Sequence, residues 1–266
     1  MAPYDFDVDA PDAGTILRCS DGKELRVHRL LLSFSSSVFH GMFRLPQPTD
    51  SYSGSPTVDV SEPSDILQPL IQYLYLRSPS KIPDISAWTA LYAIADKYDA
   101  EGVMGSLRDM LIPRFLKTSP LRVSALASRW GLEEEAKIAS TRTLTLNIFK
   151  DFPREDAELM GGTACQRLYL LHLDRREAAR ALISNCPRPS SSHHFCICSE
   201  KFPNFIPALH RRVDERPSLT LEGVYEEVIQ HNWPGKCSEG CRFSIENLHT
   251  YFSSLVREIS KLPQLI

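Results

Sequence analysis

The chain has 266 residues, of which 42% are hydrophobic, 24% charged and 9% aromatic, ordinary globular proportions that exclude disorder throughout. At about 150 residues per domain this is one large domain or two modest ones, long enough to bury a core without disulfide staples, and 12 Gly against 19 Pro exclude collagen-like or Gly-rich polymers. A net charge of −3, from 30 basic and 33 acidic residues, argues against nucleic acid as main ligand and leaves His210-Arg211-Arg212 as a local basic patch only.

No run approaches the roughly 18 consecutive apolar residues of a membrane span, and Met1 to Asp7 is too acidic to open a signal peptide. An intracellular location, cytoplasm or nucleus, is therefore expected. Seven cysteines, an odd number without a secretion signal, argue against a disulfide framework and for buried thiols or metal binding.

In chain order, Thr15 to Ser20 alternates apolar and polar residues, Asp21-Gly22 is a tight-turn dipeptide, and Glu24 to Val27 resumes the alternation, which predicts a hairpin. From His28 to Phe43, Leu31, Leu32, Phe34, Val38, Phe39, Met42 and Phe43 recur mostly at three- and four-residue steps. Ser35-Ser36-Ser37 interrupts them, which predicts two short helices with a polar cap between. After a polar loop, Thr57 to Val60 reads as a strand, and Ser64 or Asp65 caps a helix with the stripe Ile66, Leu67, Leu70, Ile71 and Leu74. Pro69 falls early in that helix.

Ser86 is the expected cap of the next helix, with Trp88, Leu91, Tyr92, Ala95 and Tyr98 on one face, followed by another from Glu101 to Leu116. Ser119-Pro120 opens a further helix, Gly131 is its expected C′ stop, and Glu133-Glu134-Glu135 opens the one after. Thr163 to Ser184 is long and periodic, and Asn185 to Ser192 has the composition of a linker. Beyond it, helices are expected at Leu221 to Gln230 and Ile245 to Ile259.

Several of these residues together resemble the BTB/POZ domain. The order Asp21-Gly22, Val27-His28, Leu31-Leu32, Ser35-Ser36, Phe39 and Met42-Phe43 precedes a strand, a helix with Tyr73-Leu74-Tyr75, and Leu91 to Tyr98. The likeness covers roughly residues 12 to 117 and resembles in particular the BTB proteins abundant in filamentous fungi, with Ser119 to Ser184 similar to the helical extension often found behind that domain. It implies an α+β fold, a small three-stranded sheet with a helix cluster, in a non-catalytic protein–protein interaction module. It also implies homodimerisation and, in many members, an adaptor role for a cullin-type ubiquitin ligase or in transcription. Cullin-binding members often carry a Glu shortly after the Met-Phe position, and Arg44-Leu45-Pro46-Gln47-Pro48 has none. Only about a dozen residues precede the hairpin, where much of the family exchanges a strand between protomers.

The expected division is a BTB/POZ domain at 12–118, a helical extension at 119–184 and a Cys-containing region at 185–266. Asp21 is read as a turn residue, His28 as satisfying a backbone group, Tyr73, Tyr75, Tyr92 and Tyr98 as core and rim, and Cys19 and Cys165 as buried apolar residues. The remaining chemistry lies in Cys196, Cys198, Cys237 and Cys241, two close pairs about 40 residues apart, with His193 and His194 nearby. Four thiolates close a tetrahedral structural zinc site without an open position, and a small C-terminal unit benefits from such a staple. The alternative for these cysteines is thiol redox exchange, although Lys201 is the one cation flanking Cys196 and Cys198. The sequence has no nucleophile elbow, phosphate loop, dinucleotide fingerprint or His-Glu-x-x-His, so no enzyme is expected.

Overall fold

A computed structural model describes residues 13–45, 56–75, 82–185, 197–230 and 245–263. The chain divides into two compact units, Met1–Arg114 and Phe115–Ile266.

The first unit is built on a three-stranded sheet. Strands β1 (Thr15–Arg18) and β2 (Glu24–Val27) pair antiparallel, with Leu17 opposite Leu25, and β3 (Thr57–Asp59) pairs parallel to β1, giving the order β2-β1-β3. The expected alternation along β1 is overridden: as the central strand it is covered on both faces, so Thr15, Ile16 and Leu17 are all buried. The turn is also wider than the Asp21-Gly22 dipeptide implied. Gly22 donates to Cys19 O at 2.9 Å and takes φ +81, a left-handed conformation that glycine alone adopts without steric cost, and Cys19 donates to Lys23 O at 2.9 Å.

Helices α1 (Arg29–Ser35) and α2 (Ser37–Arg44) are split as predicted, because Ser36 leaves helical geometry and its hydroxyl accepts from the Phe39 N–H at 3.1 Å. Helix α3 (Ser64–Leu74) buries Leu67, Leu70, Ile71 and Leu74, and that stripe holds it through Pro69. Its N-terminus is capped from outside the helix: Asp21 Oδ2 accepts from the Ser64 N–H at 3.1 Å and from the Ser64 hydroxyl at 2.7 Å. Helix α4 (Ile85–Lys97) starts two residues earlier than expected, because Asp84, in place of Ser86, caps it by accepting from the Ala87 N–H at 2.8 Å. Helix α5 (Glu101–Phe115) closes the core of the unit, where fully buried Trp88 donates to Leu107 O at 2.9 Å and stacks on Tyr92.

The second unit is helical: α6 (Pro120–Arg129), α7 (Glu133–Thr143), α8 (Ile148–Asp151), α9 (Arg154–Met160), α10 (Gly162–Ser184), α11 (Ile197–Glu215), α12 (Leu221–Gln230) and α13 (Ile245–Ser260). Ser119 stands at the cap position of α6, yet its side chain makes no cap bond. Gly131 ends α6 as predicted, with φ +64 and the next residue, Leu132, donating back to Ala127 O at 2.9 Å. One apolar cluster gathers Leu121 and Ala125 of α6 with Ile148, Met160 and Leu168, and the pair Arg122–Asp156, at 2.7 Å, ties α6 to α9. A second joins Ala179 and Ile183 of α10 to Leu209, Val213, Leu219, Val224, Phe252, Leu255 and Ile259. Helix α10, about 35 Å long, thus serves both clusters, and helices on either side of the linker read at residues 185–192 share one core.

Candidate functional site

Helix α1 is apolar on more than one side. Leu32 is fully buried, whereas Leu30 is 81% and Phe34 92% exposed, with Leu31 beside them at 42%. Leu31 and Phe34 are thus exposed although they share the periodicity of the buried Leu32 and Phe39. Residues 30 and 34 are one turn apart and 31 and 34 three apart, so the three side chains form one contiguous patch. Single exposed apolar residues are unremarkable, whereas here three large ones cluster on one short helix.

The patch is held on a rigid frame. Ser36 donates to Tyr98 O and Ser37 to Asp99, pinning the junction of α1 and α2 to the end of α4. Phe39 stacks on Tyr98 with ring centroids 4.5 Å apart, and Arg29 donates to Phe43 O while its guanidinium lies 5.8 Å above the Phe43 ring. Tyr98 in turn donates to Glu62 Oε2 at 2.6 Å, and Lys97 pairs with the same carboxylate. Burial opposes ionisation of Glu62, but the bonds from Lys97, Tyr98 and Ser61 prevail and hold it below the ordinary carboxylate range. The helix that carries the apolar face is thus tied at its C-terminal end to the end of α4.

The residues singled out from the sequence have structural tasks here. Asp21 caps α3 as well as shaping the turn, and its bonds from the Ser64 hydroxyl and N–H hold its pKa below the usual value. At His28, Tyr75 OH lies 3.1 Å from the ring Nδ1 and accepts from the backbone N–H at 2.7 Å. Tyr92 and Tyr98 are buried and Tyr73 and Tyr75 half-buried, as expected of core and rim. Cys19 is buried and Cys165 half-buried; burial pushes both thiols up, away from reactivity.

Of the expected zinc ligands, Cys198 falls in the first turn of α11, and Cys196, Cys237 and Cys241 lie outside the described residues. His193 and His194 also lie outside them. Among the described residues, no group of three or more His, Cys, Asp or Glu side chains is placed to hold a metal ion, and no helix is long and apolar enough to cross a membrane. The basic patch at residues 210–212 is partly neutralised, since Arg212 pairs with Glu226 at 3.0 Å, while neighbouring Asp214 pairs with Arg180 at 2.5 Å.

A comparison with curated proteins finds no match to the chain. Residues 13–114 match the BTB/POZ domain family, the same span that carries the sheet β2-β1-β3 and helices α1 to α5. The first unit is a BTB/POZ domain, a fold that generally mediates protein–protein interaction.

Proposed function

We propose that the protein is a non-catalytic adaptor or scaffold that homodimerises through α1 of its BTB/POZ domain, in the arrangement of fungal BTB proteins with a helical extension at 119–184 and a further C-terminal region at 185–266. The observation that carries this reading is the exposed pair Leu30 and Phe34 on a rigidly framed helix. A two-fold interface places the same patch of each protomer against its copy, and large apolar anchors at its centre supply most of the binding energy. In the double variant Leu30→Asp/Phe34→Asp, two carboxylates would be buried against their own copies. Native mass spectrometry is expected to give about twice 30.1 kDa for the wild type and 30.1 kDa for the variant, with unchanged circular dichroism. A monomeric wild type at micromolar concentration would sink the dimer.

Transcriptional and ubiquitin-ligase roles use the same interaction chemistry and differ in partner. Capture by a purified cullin separates them, and the lack of a Glu in residues 44–48 favours a partner other than a cullin. We also propose that Cys196, Cys198, Cys237 and Cys241 hold one structural zinc, on the support of their pairing and spacing. Cys196→Ser/Cys237→Ser should lose the metal and melt at lower temperature; unchanged metal content and melting point would end that proposal.

A further inference from the structure

The second unit contains a cleft of about 350 Å³. One wall is a stripe of α7 and the turn after it, where Ile138, Thr141, Arg142 and Thr145 recur at three- and four-residue steps. Leu219, ahead of α12, and Ile259 of α13 line it as well. Ile138 is 46% exposed, a branched aliphatic side chain left open on the wall of a concave site. One turn on, Arg142 is exposed and has no ion-pair partner among the described residues. The second guanidinium of the lining, Arg175, is buried, and its four hydrogen bonds all go to backbone carbonyls, so no carboxylate neutralises it. No Asp or Glu among the described residues lines the cleft. The site is therefore aliphatic and positive.

We propose that this cleft binds the C-terminal residue of a partner peptide, taking its aliphatic side chain beside Ile138 and its free α-carboxylate at Arg142. The volume lies near the lower end of ligand sites and suits one or two residues. A terminal residue carries its carboxylate and side chain within a few ångströms of each other. That matches Ile138 and Arg142, whose Cβ atoms stand about 5–6 Å apart as an i, i+4 pair, whereas an internal segment needs two exits from so small a space. The Thr145 hydroxyl donates to Arg142 O, which leaves its lone pairs to accept a peptide N–H. This gives the interaction-module reading a partner chemistry on a second surface. It stands independently of α1, since a monomeric wild type would end the dimer and leave the cleft.

The test uses the full chain with labelled Ile and Leu methyl groups, titrated with acetyl-Gly-Leu as free acid and as C-terminal amide while methyl NMR shifts are followed. The Ile138 and Ile259 methyls should move saturably with the acid, at roughly millimolar affinity for so small a probe, and about tenfold more weakly with the amide. Arg142→Gln, on an exposed helix face, should remove the preference for the acid. Unmoved methyls, equal binding of acid and amide, or a preference surviving Arg142→Gln would overturn the proposal. So would 4-methylpentanoate binding as well as the dipeptide, which would assign the cleft to a small carboxylic acid.

Discussion

Replacing Arg175 by Met should lower the unfolding free energy of the second unit by about 3–5 kcal/mol, through carbonyls left without donors. Arg175 projects from α10 and is 4% exposed. Its Nε donates to Pro217 O at 2.8 Å, Nη1 to Leu262 O and Pro263 O at 2.7 and 2.9 Å, and Nη2 to Ile259 O at 2.9 Å. Three of these oxygens belong to the end of α13 and the residues just after it, where a helix leaves its last carbonyls unpaired and carries partial negative charge. The guanidinium fork thus closes the C-terminus of α13 and the approach to α12 onto α10. Burial holds the Arg175 pKa below its ordinary value, a sign that the site opposes the charge even as the carbonyls draw it in. The net effect is therefore smaller than four charge-assisted bonds would give. Lys at this position should recover only part of the loss, since an ammonium lacks the planar fork. Urea unfolding followed by circular dichroism measures both variants, and an Arg175→Met protein within about 0.5 kcal/mol of wild type would remove Arg175 as the clasp.

This clasp was not legible in the sequence, and the reason is general to the second unit. Arg175 sits in Asp174-Arg175-Arg176-Glu177, which reads as a solvated charged face of an amphipathic helix. Nothing local says that residues 217 and 259–263 will arrive beside it. Helix α11 is hidden in the sequence for a related reason: Pro203 and Pro207 fall inside it, and an interior proline costs roughly 3 kcal/mol by local rules. Burial of Ala208, Leu209 and Val213 outweighs that cost once α10 and α12 provide a surface. The first unit was legible because its signals are local. The hairpin strands, the Ser36 break and the α3 stripe each depend on residues within one turn or strand pair. What periodicity could not supply was the fate of α1. Leu30, Leu31, Leu32 and Phe34 are equally apolar in sequence, and only the packed structure shows Leu32 inside and its neighbours outside. The proposed zinc ligands rest on spacing alone.

Between pH 7 and pH 5 the second unit is expected to lose about 2 kcal/mol of stability through His172 alone. His172, on α10, is fully buried, with Nε2 3.0 Å from Thr143 Oγ1. The Thr143 hydroxyl already donates its proton to Ser140 O at 2.6 Å, so it must accept from His172, which fixes the neutral tautomer with the proton on Nε2. Nδ1 is left as an acceptor with no hydrogen-bond partner among the described residues. Protonating it would place a buried N–H and a positive charge one turn from Arg175. Burial first, and Arg175 second, push the His172 pKa down to about 4. The folded value lies below the unfolded value of about 6.5, so the unfolded chain binds more protons between the two. The contribution is therefore complete above about pH 6.5 and lost as pH falls toward 4, the reverse of a histidine that gains a carboxylate partner. His172→Gln keeps a donor for Thr143 and removes the titration. Its stability should fall by about 2 kcal/mol less than that of wild type over the same interval, whereas identical falls would show that His172 is protonated in the folded state or screened by groups other than Arg175.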